Sequence, residues 1–303
     1  MDVSVVVPVY NEVENVAPLA AAIEQAMAGT RRAYEIVLVD DGSTDGTRDW
    51  LKTLAQPPFT ILLNERNLGY AGANNRAAAE ATGELLVLLN NDLELTPGWL
   101  EPMLAVQREL SKPGAIGNVQ LNASSGEVDH AGIYVTAKGK PEHDVQFPLN
   151  RNLKLSPAVT GACLLIERSL WQELGGFHPQ FINGGEDIDL CFRAAQKGRI
   201  NAVALHSVIR HHVSASPGRK RYDEQNAYWL TLRWKNELVH LGARTWCRHH
   251  VRHTPYRSIF SLPVILLYLL GLRHTPPAAA LRGVEKNIDH SLVLWTESFG
   301  RTI

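Results

Sequence analysis

Asn90-Asn91-Asp92, directly behind the apolar run Leu85-Leu86-Val87-Leu88-Leu89, is the stretch whose residue types and spacing point most directly to chemistry. An unbroken apolar run of strand length reads as a strand covered on both faces. Short polar acceptors at its carboxyl end then open into the crevice where α/β sheets bind ligands. One carboxylate held there between amides can keep a divalent cation against a diphosphate, because hard cations take oxygen ligands and share them with substrate phosphates. The plainer alternative is that Asn91-Asp92 only turns the chain ahead of a helix near Pro97.

That strand is the fourth of a series. Ser4–Val9, Glu35–Val39 and Thr60–Leu63 precede it, separated by stretches near Asn15 to Ala28, Thr44 to Leu54 and Ala71 to Ala81 that suit amphipathic helices. Such alternation predicts right-handed crossovers and a parallel sheet. The loops after the strands then share one edge, and they read Tyr10-Asn11-Glu12, Asp40-Asp41-Gly42-Ser43, Asn64 to Gly69, and Asn90-Asn91-Asp92. Acidic and amide groups gathered on one rim are what a site for a base, a ribose and a metal ion requires.

The 303 residues, 45% hydrophobic and 20% charged, describe a globular protein that can bury a large core, as one elaborated domain or one domain with an appendage. A net charge of −1 and a pI near 6.9 give no general attraction to nucleic acid. The charge is unevenly spread: between Glu237 and Glu285 there is no Asp or Glu, while Arg244, Arg248, Arg252, Arg257, Arg273 and Arg282 fall there. Cys163, Cys191 and Cys247 are odd in number and widely spaced, which indicates neither zinc site nor disulfide framework and fits a reducing cytoplasm. No basic-then-apolar leader precedes the first strand, an expectation against secretion. The turn Ser216-Pro217-Gly218 and the residues to Tyr222 predict a boundary, giving a catalytic domain over 1–220 and a helical extension over 221–303.

The segments Ser4–Glu12 (SVVVPVYNE), Val39–Asp45 (VDDGSTD), Asn67-Leu68-Gly69 with Asn75, Leu88–Asp92 (LLNND), Gly161-Ala162-Cys163, Gly175-Gly176-Phe177, Gly185–Leu190 (GEDIDL) and His211–Ser216 (HHVSAS) follow one another in register. Together they resemble the family 2 glycosyltransferases of the GT-A fold, with a likeness to rhamnosyl- and galactofuranosyl-type bacterial enzymes. The resemblance implies a Rossmann-like nucleotide-diphospho-sugar transferase: an α/β fold with a mixed, mostly parallel sheet, helices on both faces and a C-terminal helical extension. It implies inverting transfer of a sugar from a nucleoside-diphosphate donor to an acceptor hydroxyl, in surface polysaccharide or glycolipid synthesis, with Mn²⁺ or Mg²⁺ as cofactor.

By motif register, Pro8, Tyr10 and Glu12 match the loop beside the nucleotide, and Asp40 matches the carboxylate that accepts from base or ribose. Asn67, Asn75 and Asn91 fall among the substrate-binding positions, while Thr44 or Asp45 reads as the cap of the next helix. Asp92 matches the metal-carrying residue of the DxD-type motif, which departs here from its two-Asp form. Asp187 matches the general base, able to take the proton of an attacking hydroxyl. Glu186, placed at the site with it, and Asp189 flank that base and orient it or cap a helix over Leu190–Gln196; the plain reading of the whole cluster is compensation of a helix N-terminus. His211 matches a metal-binding imidazole, with His212 one residue on as the alternative and a satisfied structural histidine as competitor. Gly161-Ala162 and Gly176-Phe177 match the acceptor side.

A nicotinamide-dependent oxidoreductase would open its first strand into GxGxxG, whereas this one opens into Pro8-Val9-Tyr10-Asn11-Glu12. A sugar-nucleotide pyrophosphorylase wants a glycine-rich basic loop there, which is missing. A non-catalytic carbohydrate- or nucleotide-sugar-binding scaffold of the same fold remains the runner-up. The expected partners are the donor and a saccharide or lipid-linked saccharide acceptor, with no nucleic acid. In the C-terminal part, Arg244, Arg248 and Arg252 recur at helical spacing ahead of the apolar stretch Ile259 to Leu272, which is too short to span a bilayer. Two readings follow: peripheral binding at the inner face of the membrane, or packing of Leu262, Ile265, Leu266 and Leu269 on the catalytic domain or a second subunit. For Leu266 and its neighbours the expectation leans to packing.

Overall fold

The computed structural model describes residues 1–30, 32–54, 56–148, 150–212, 222–253 and 261–299. Two compact units divide the chain: Met1–Ile133 with His143–Tyr222, and Tyr134–Glu142 with Asp223–Ile303.

In the first unit β1 (Val3–Val9), α1 (Val16–Gly29), β2 (Tyr34–Asp40), α2 (Thr47–Lys52), β3 (Phe59–Leu63), α3 (Gly69–Glu80) and β4 (Leu85–Leu89) alternate as the periodicity predicts. They are followed by β5 (Leu93–Leu95), α4 (Leu100–Glu109), β6 (Pro113–Asn122), β7 (Val128–His130), then β8 (Ile133–Val135) and β9 (Pro141–His143), most of whose residues belong to the second unit, and β10 (Leu153–Leu155), β11 (Cys163–Glu167), α5 (Arg168–Leu174), α6 (Glu186–Gln196) and β12 (Ile200–His211). The main sheet runs β10-β12-β6-β11-β4-β1-β2-β3, with β5 added to β12 and β7 to β6, while β8 and β9 form a separate pair. All five residues of β4 are buried, as a strand covered on both faces requires. Buried Ser4 in β1 is accommodated because its hydroxyl donates to Glu35 at 2.6 Å and accepts from the Gly83 N–H at 2.8 Å.

Strand direction explains why distant segments meet on one rim. β1, β2, β3 and β4 are mutually parallel, β11 is antiparallel to both β4 and β6, and β12 is parallel to β6. Two antiparallel steps restore the direction, so β6 and β12 end on the same edge as β4. β11 starts on that edge. α6 begins at Glu186, four residues earlier than the expected Leu190, because Gly185 at φ +92° caps it and admits the acidic cluster as its first turn.

The second unit contains the 134–142 excursion, α7 (Asp223–His253, kinked at Trp234), α8 (Leu262–Leu269) and α9 (Ala278–Phe299). Ala243, Cys247, Ile265 and Ala280 form its small core. Small residues let the elements approach: a Cβ on Gly242 would lie 2.8 Å from the Thr136 carbonyl oxygen. Lys235 of α7 pairs with Asp289 of α9 at 2.6 Å. Ile265 is buried in this unit's own core, with Tyr268 and Leu269 of α8 partly buried against it, whereas Leu266 is exposed. Among the described residues no helix is long and apolar enough to cross a membrane.

Candidate active site

Hydrogen bonds across the rim hold the loops in place before any ligand arrives. After β1 the chain turns at Asn11 (φ +54°), whose N–H donates to Ser43 Oγ at 2.9 Å and whose side-chain oxygen accepts from the Thr44 N–H at 2.8 Å. The Glu12 N–H donates to Thr47 Oγ1 at 2.9 Å, and Asp45 Oδ1 accepts from the Thr47 N–H at 3.0 Å at the start of α2. Asp41, a residue the motif reading passed over, accepts from Asn64 Nδ2 (2.6 Å) and from the N–H groups of Leu68 (2.8 Å) and Gly69 (3.0 Å). Gly42 must be glycine, since φ is +85° and a Cβ would meet the Asn67 nitrogen at 2.9 Å. Pro8, one residue before the end of β1, is half-buried, Tyr10 is exposed, Glu12 is half-buried, and Asn67 is exposed with its Oδ1 accepting from the Gly69 N–H at 2.9 Å.

Two expected ligand residues carry structural bonds. Asp40 is fully buried; one carboxylate oxygen accepts from Arg48 at 2.7 to 2.8 Å and the other from the Ser43 N–H at 3.2 Å. These bonds fix the Asp40 carboxylate at the end of β2, the position the resemblance gives to the acceptor from base or ribose. Asn75 is likewise spoken for: its amide donates to the Phe177 carbonyl and accepts from the Phe177 N–H, both at 2.8 Å. It pins the Gly175-Gly176-Phe177 turn, and a Cβ on Gly176 would collide with it.

At the end of β4 the chain folds back. β5 pairs antiparallel with β12 in the register His211↔Leu93, and the His212 N–H donates to the Asp92 carbonyl at 3.0 Å. This register turns the imidazole of His211 inward, with Nε2 at 3.4 Å from Asp92 Oδ1 and no hydrogen bond between them. His212, one residue on, faces outward and pairs with Glu94 at 2.7 Å. Strand alternation therefore separates the two histidines. Asp92 Oδ1, Asn90 Oδ1 and both His211 ring nitrogens are buried without a hydrogen-bond partner, while a fifth of the Asp92 side chain remains in solvent. Asn91 is half-buried beside them. Buried polar atoms without partners are costly, on the order of 1–3 kcal/mol each, so a cluster of them marks a place completed by something else. The remainder of the HHVSAS motif, from Val213 to Ser216, lies outside the described residues.

Further along the rim, Asp187 stands in the first turn of α6. Its Oδ2 accepts from the Gly161 N–H at 2.9 Å and its Oδ1 from the Ile188 N–H at 2.8 Å. Glu186 is buried and accepts from the Gly184 N–H at 2.7 Å, closing the glycine loop. Tyr70, absent from the motif reading, donates its hydroxyl to the Gly161 carbonyl at 2.8 Å. Burial first, and then the charges of Glu186, Asp187 and Asp92, push its phenol well above the usual value, so it remains a proton donor. The hydroxyl is thereby tied to the Gly161 peptide, whose N–H holds Asp187. A Cβ on Gly161 would come within 2.9 Å of the Tyr70 hydroxyl and 3.5 Å of the Asp187 Cβ. Burial raises the thiols of Cys163 and Cys191, the latter to about 12, which removes both as nucleophiles.

The family model for glycosyl transferase family 2 matches residues 4–174. An O-antigen biosynthesis protein of Myxococcus xanthus is 31% identical over 242 residues, 76% of this chain and 18% of that protein. An N-acetylglucosaminyl-diphospho-decaprenol L-rhamnosyltransferase of Mycobacterium tuberculosis is 27% identical over 281 residues, covering 81% of this chain and 87% of that enzyme. The chain spans less than a third of the length of two other-sized relatives, 29% of a Sinorhizobium fredii protein and 18% of the Myxococcus one. Among solved structures, GalNAc-T7 with UDP, GalNAc and Mn²⁺ superposes with a TM-score of 0.62 at 22% identity, over 87% of this chain and 54% of that one, a likeness of fold.

Proposed function

The chain belongs to glycosyl transferase family 2, and on that premise we propose that it moves a sugar from a nucleoside-diphosphate donor to an acceptor hydroxyl in one inverting displacement. The observation that carries this reading is the set of unpartnered buried atoms on Asp92, Asn90 and His211 at the sheet's carboxyl edge, with Asp187, held by the Gly161 N–H, on the same rim. The Asp92 carboxylate suits Mn²⁺ or Mg²⁺, the imidazole beside it favours Mn²⁺ of the two, and with Asn90 replacing the first carboxylate of the two-Asp motif, the donor diphosphate would supply the remaining oxygens. Held by Asp92 and His211, an ion would supply positive charge against the charge that grows on the leaving diphosphate. The Mn²⁺ in the GalNAc-T7 structure is consistent with that choice.

The protein's own groups then divide the work. Each Asp187 oxygen holds a backbone N–H and keeps lone pairs to accept the proton of the attacking hydroxyl. As the acceptor oxygen bonds to the anomeric carbon, the bond to the diphosphate breaks and its electron pair leaves with the phosphate. Tyr70 acts through Gly161: it fixes the residue whose N–H orients the Asp187 carboxylate. Pro8, Tyr10, Glu12, Asn67 and Asn91 border the donor, and Gly161 and Glu186 the acceptor side. The name of the Mycobacterium relative supports a lipid-linked saccharide acceptor, and that of the Myxococcus relative supports a place in surface polysaccharide synthesis.

A non-catalytic nucleotide-sugar-binding protein is the second reading, favoured by one observation: among the described residues no three His, Cys, Asp or Glu groups gather as a metal site. A panel of nucleotide sugars, scored by thermal shift with Mn²⁺ and with chelator and then by donor turnover, separates the two. Metal-dependent binding with turnover supports transfer. Binding without turnover to water or any saccharide acceptor supports the scaffold.

A further inference from the structure

We propose that the C-terminal unit docks on an anionic lipid surface through the exposed leucines of α8 and the turn that follows it, beside the arginine stripe of α7. Leu266, Leu267, Leu270 and Leu272 are 41%, 44%, 72% and 72% exposed. Single exposed leucines are ordinary, but four within seven residues make a contiguous apolar surface of the kind that marks a docking site. α8, with the sequence LPVILLYL, is apolar all round, and a helix of that composition is normally enclosed; here Ile265 alone is buried. Its eight residues extend about 12 Å, far short of the ~30 Å hydrocarbon layer, so the helix can lie in an interface and cannot cross it.

Charge selects the occupant. Arg244 donates to the Leu269 carbonyl at 3.1 Å, which brings the basic stripe to the end of α8. Arg248 and Arg252 continue that stripe at helical spacing, both exposed, with Arg273 and His274 exposed just beyond Leu272. No acidic residue lies between Glu237 and Glu285. The second unit holds twelve Lys and Arg against seven Asp and Glu, whereas the first holds eighteen against twenty-four. A second copy of the chain would bring the same positive charge to the same face, and like charges oppose such pairing. An anionic bilayer offers hydrocarbon for the leucines and phosphate for the guanidinium groups. The inference extends the lipid-linked acceptor reading given above, since a lipid-anchored acceptor is met at that surface.

The test uses the full chain with vesicles, without donor or acceptor, so its failure leaves the glycosyl-transfer reading standing. At low salt the protein is expected to co-sediment with phosphatidylglycerol/phosphatidylcholine vesicles, to bind phosphatidylcholine alone at least tenfold more weakly, and to be released as salt rises. Leu270→Ser with Leu272→Ser, and separately Arg248→Glu with Arg252→Glu, should each weaken binding roughly tenfold or more. These side chains are exposed, so unchanged thermal melting is the folding control, and transfer to a soluble acceptor should persist in both variants. Equal binding to neutral and anionic vesicles, or none to either, overturns the proposal. So does a dimer in size-exclusion chromatography that Leu270→Ser dissociates, because the face would then join two copies.

Discussion

The two units use polarity in opposite ways. In the first, polar groups go inside: Asn118, Gln120, His130 and His211 are buried near the ends of β6, β7 and β12, and Asn118 Nδ2, His130 Nδ1 and both His211 nitrogens lack hydrogen-bond partners. In the second, apolar groups go outside, in α8 and the turn after it. An unpaired buried polar atom costs about 1–3 kcal/mol, and a leucine left in water forgoes about 1.5–3 kcal/mol of burial. Neither arrangement helps the chain fold by itself. Each points to something that completes it, a polar ligand in one case and an apolar, anionic surface in the other.

The contrast predicts that substitutions in the first unit remove chemistry while those in α8 do not. The largest effect is expected from Asp187→Asn, which should lower transfer on the order of 10²–10⁴-fold while leaving donor affinity nearly unchanged; calorimetry beside initial rates checks this, and wild-type turnover would exclude Asp187 as the base. Next comes Asp92→Ala, expected to weaken Mn²⁺-dependent donor binding on the order of 10²-fold, with no difference from wild type once chelator is present. If calorimetry finds equal nucleotide affinity with and without Mn²⁺ in the native protein, the metal role falls. Leu270→Ser, measured in parallel with a soluble acceptor, should match wild type, and a loss there would break the division between the units.

A smaller effect belongs to Tyr70→Phe. The substitution removes one hydroxyl and keeps the ring against Phe177, 5.6 Å away between centroids. One hydrogen bond is worth about 1 kcal/mol, so kcat should fall roughly fivefold to tenfold with donor KM unchanged. A merely structural tyrosine would instead lower the melting temperature and both kinetic constants together.

β1 to β4 and their four rims were legible because parallel strands buried on both faces appear as apolar runs, and the loops after them must share an edge. Motif register singled out the GEDIDL segment and His211, but not that α6 would start at Glu186 rather than Leu190. What local sequence does not carry is the partner of each polar group. Asn75 looks like a ligand residue until Phe177, 102 positions away, takes both ends of its amide. Asp40 looks free until Arg48, eight positions on, pairs with it. Tyr70 carries no motif signal, since its meaning depends on Gly161, 91 positions away. Leu266 reads as core by composition, yet it is exposed while Ile265 beside it is buried, because composition does not say which face of α8 meets the core.

The smallest predicted effect concerns His130, and it tests whether the buried polar groups of the first unit carry a folding cost. His130 is fully buried; its Nε2 faces the Thr160 N–H at 3.4 Å and its Nδ1 has no partner. Burial first, and then His143, Lys154 and His211, hold its imidazole well below the usual value, so the folded protein keeps it neutral. The unfolded chain titrates this group near pH 6.5. Below that pH the unfolded state therefore binds a proton that the folded state refuses, and stability must fall as pH drops. The contribution is fully present above about pH 6.5 and declines by at most ~1.4 kcal/mol per pH unit beneath it. Between pH 6.5 and 5.5 the melting temperature should drop by about 2–4 °C from this residue. His130→Gln keeps an acceptor toward Thr160 without the titration, so its melting curve should be flatter with pH by that amount. A variant as pH-sensitive as wild type would assign the acid loss to other groups and remove His130 from the list of buried costs.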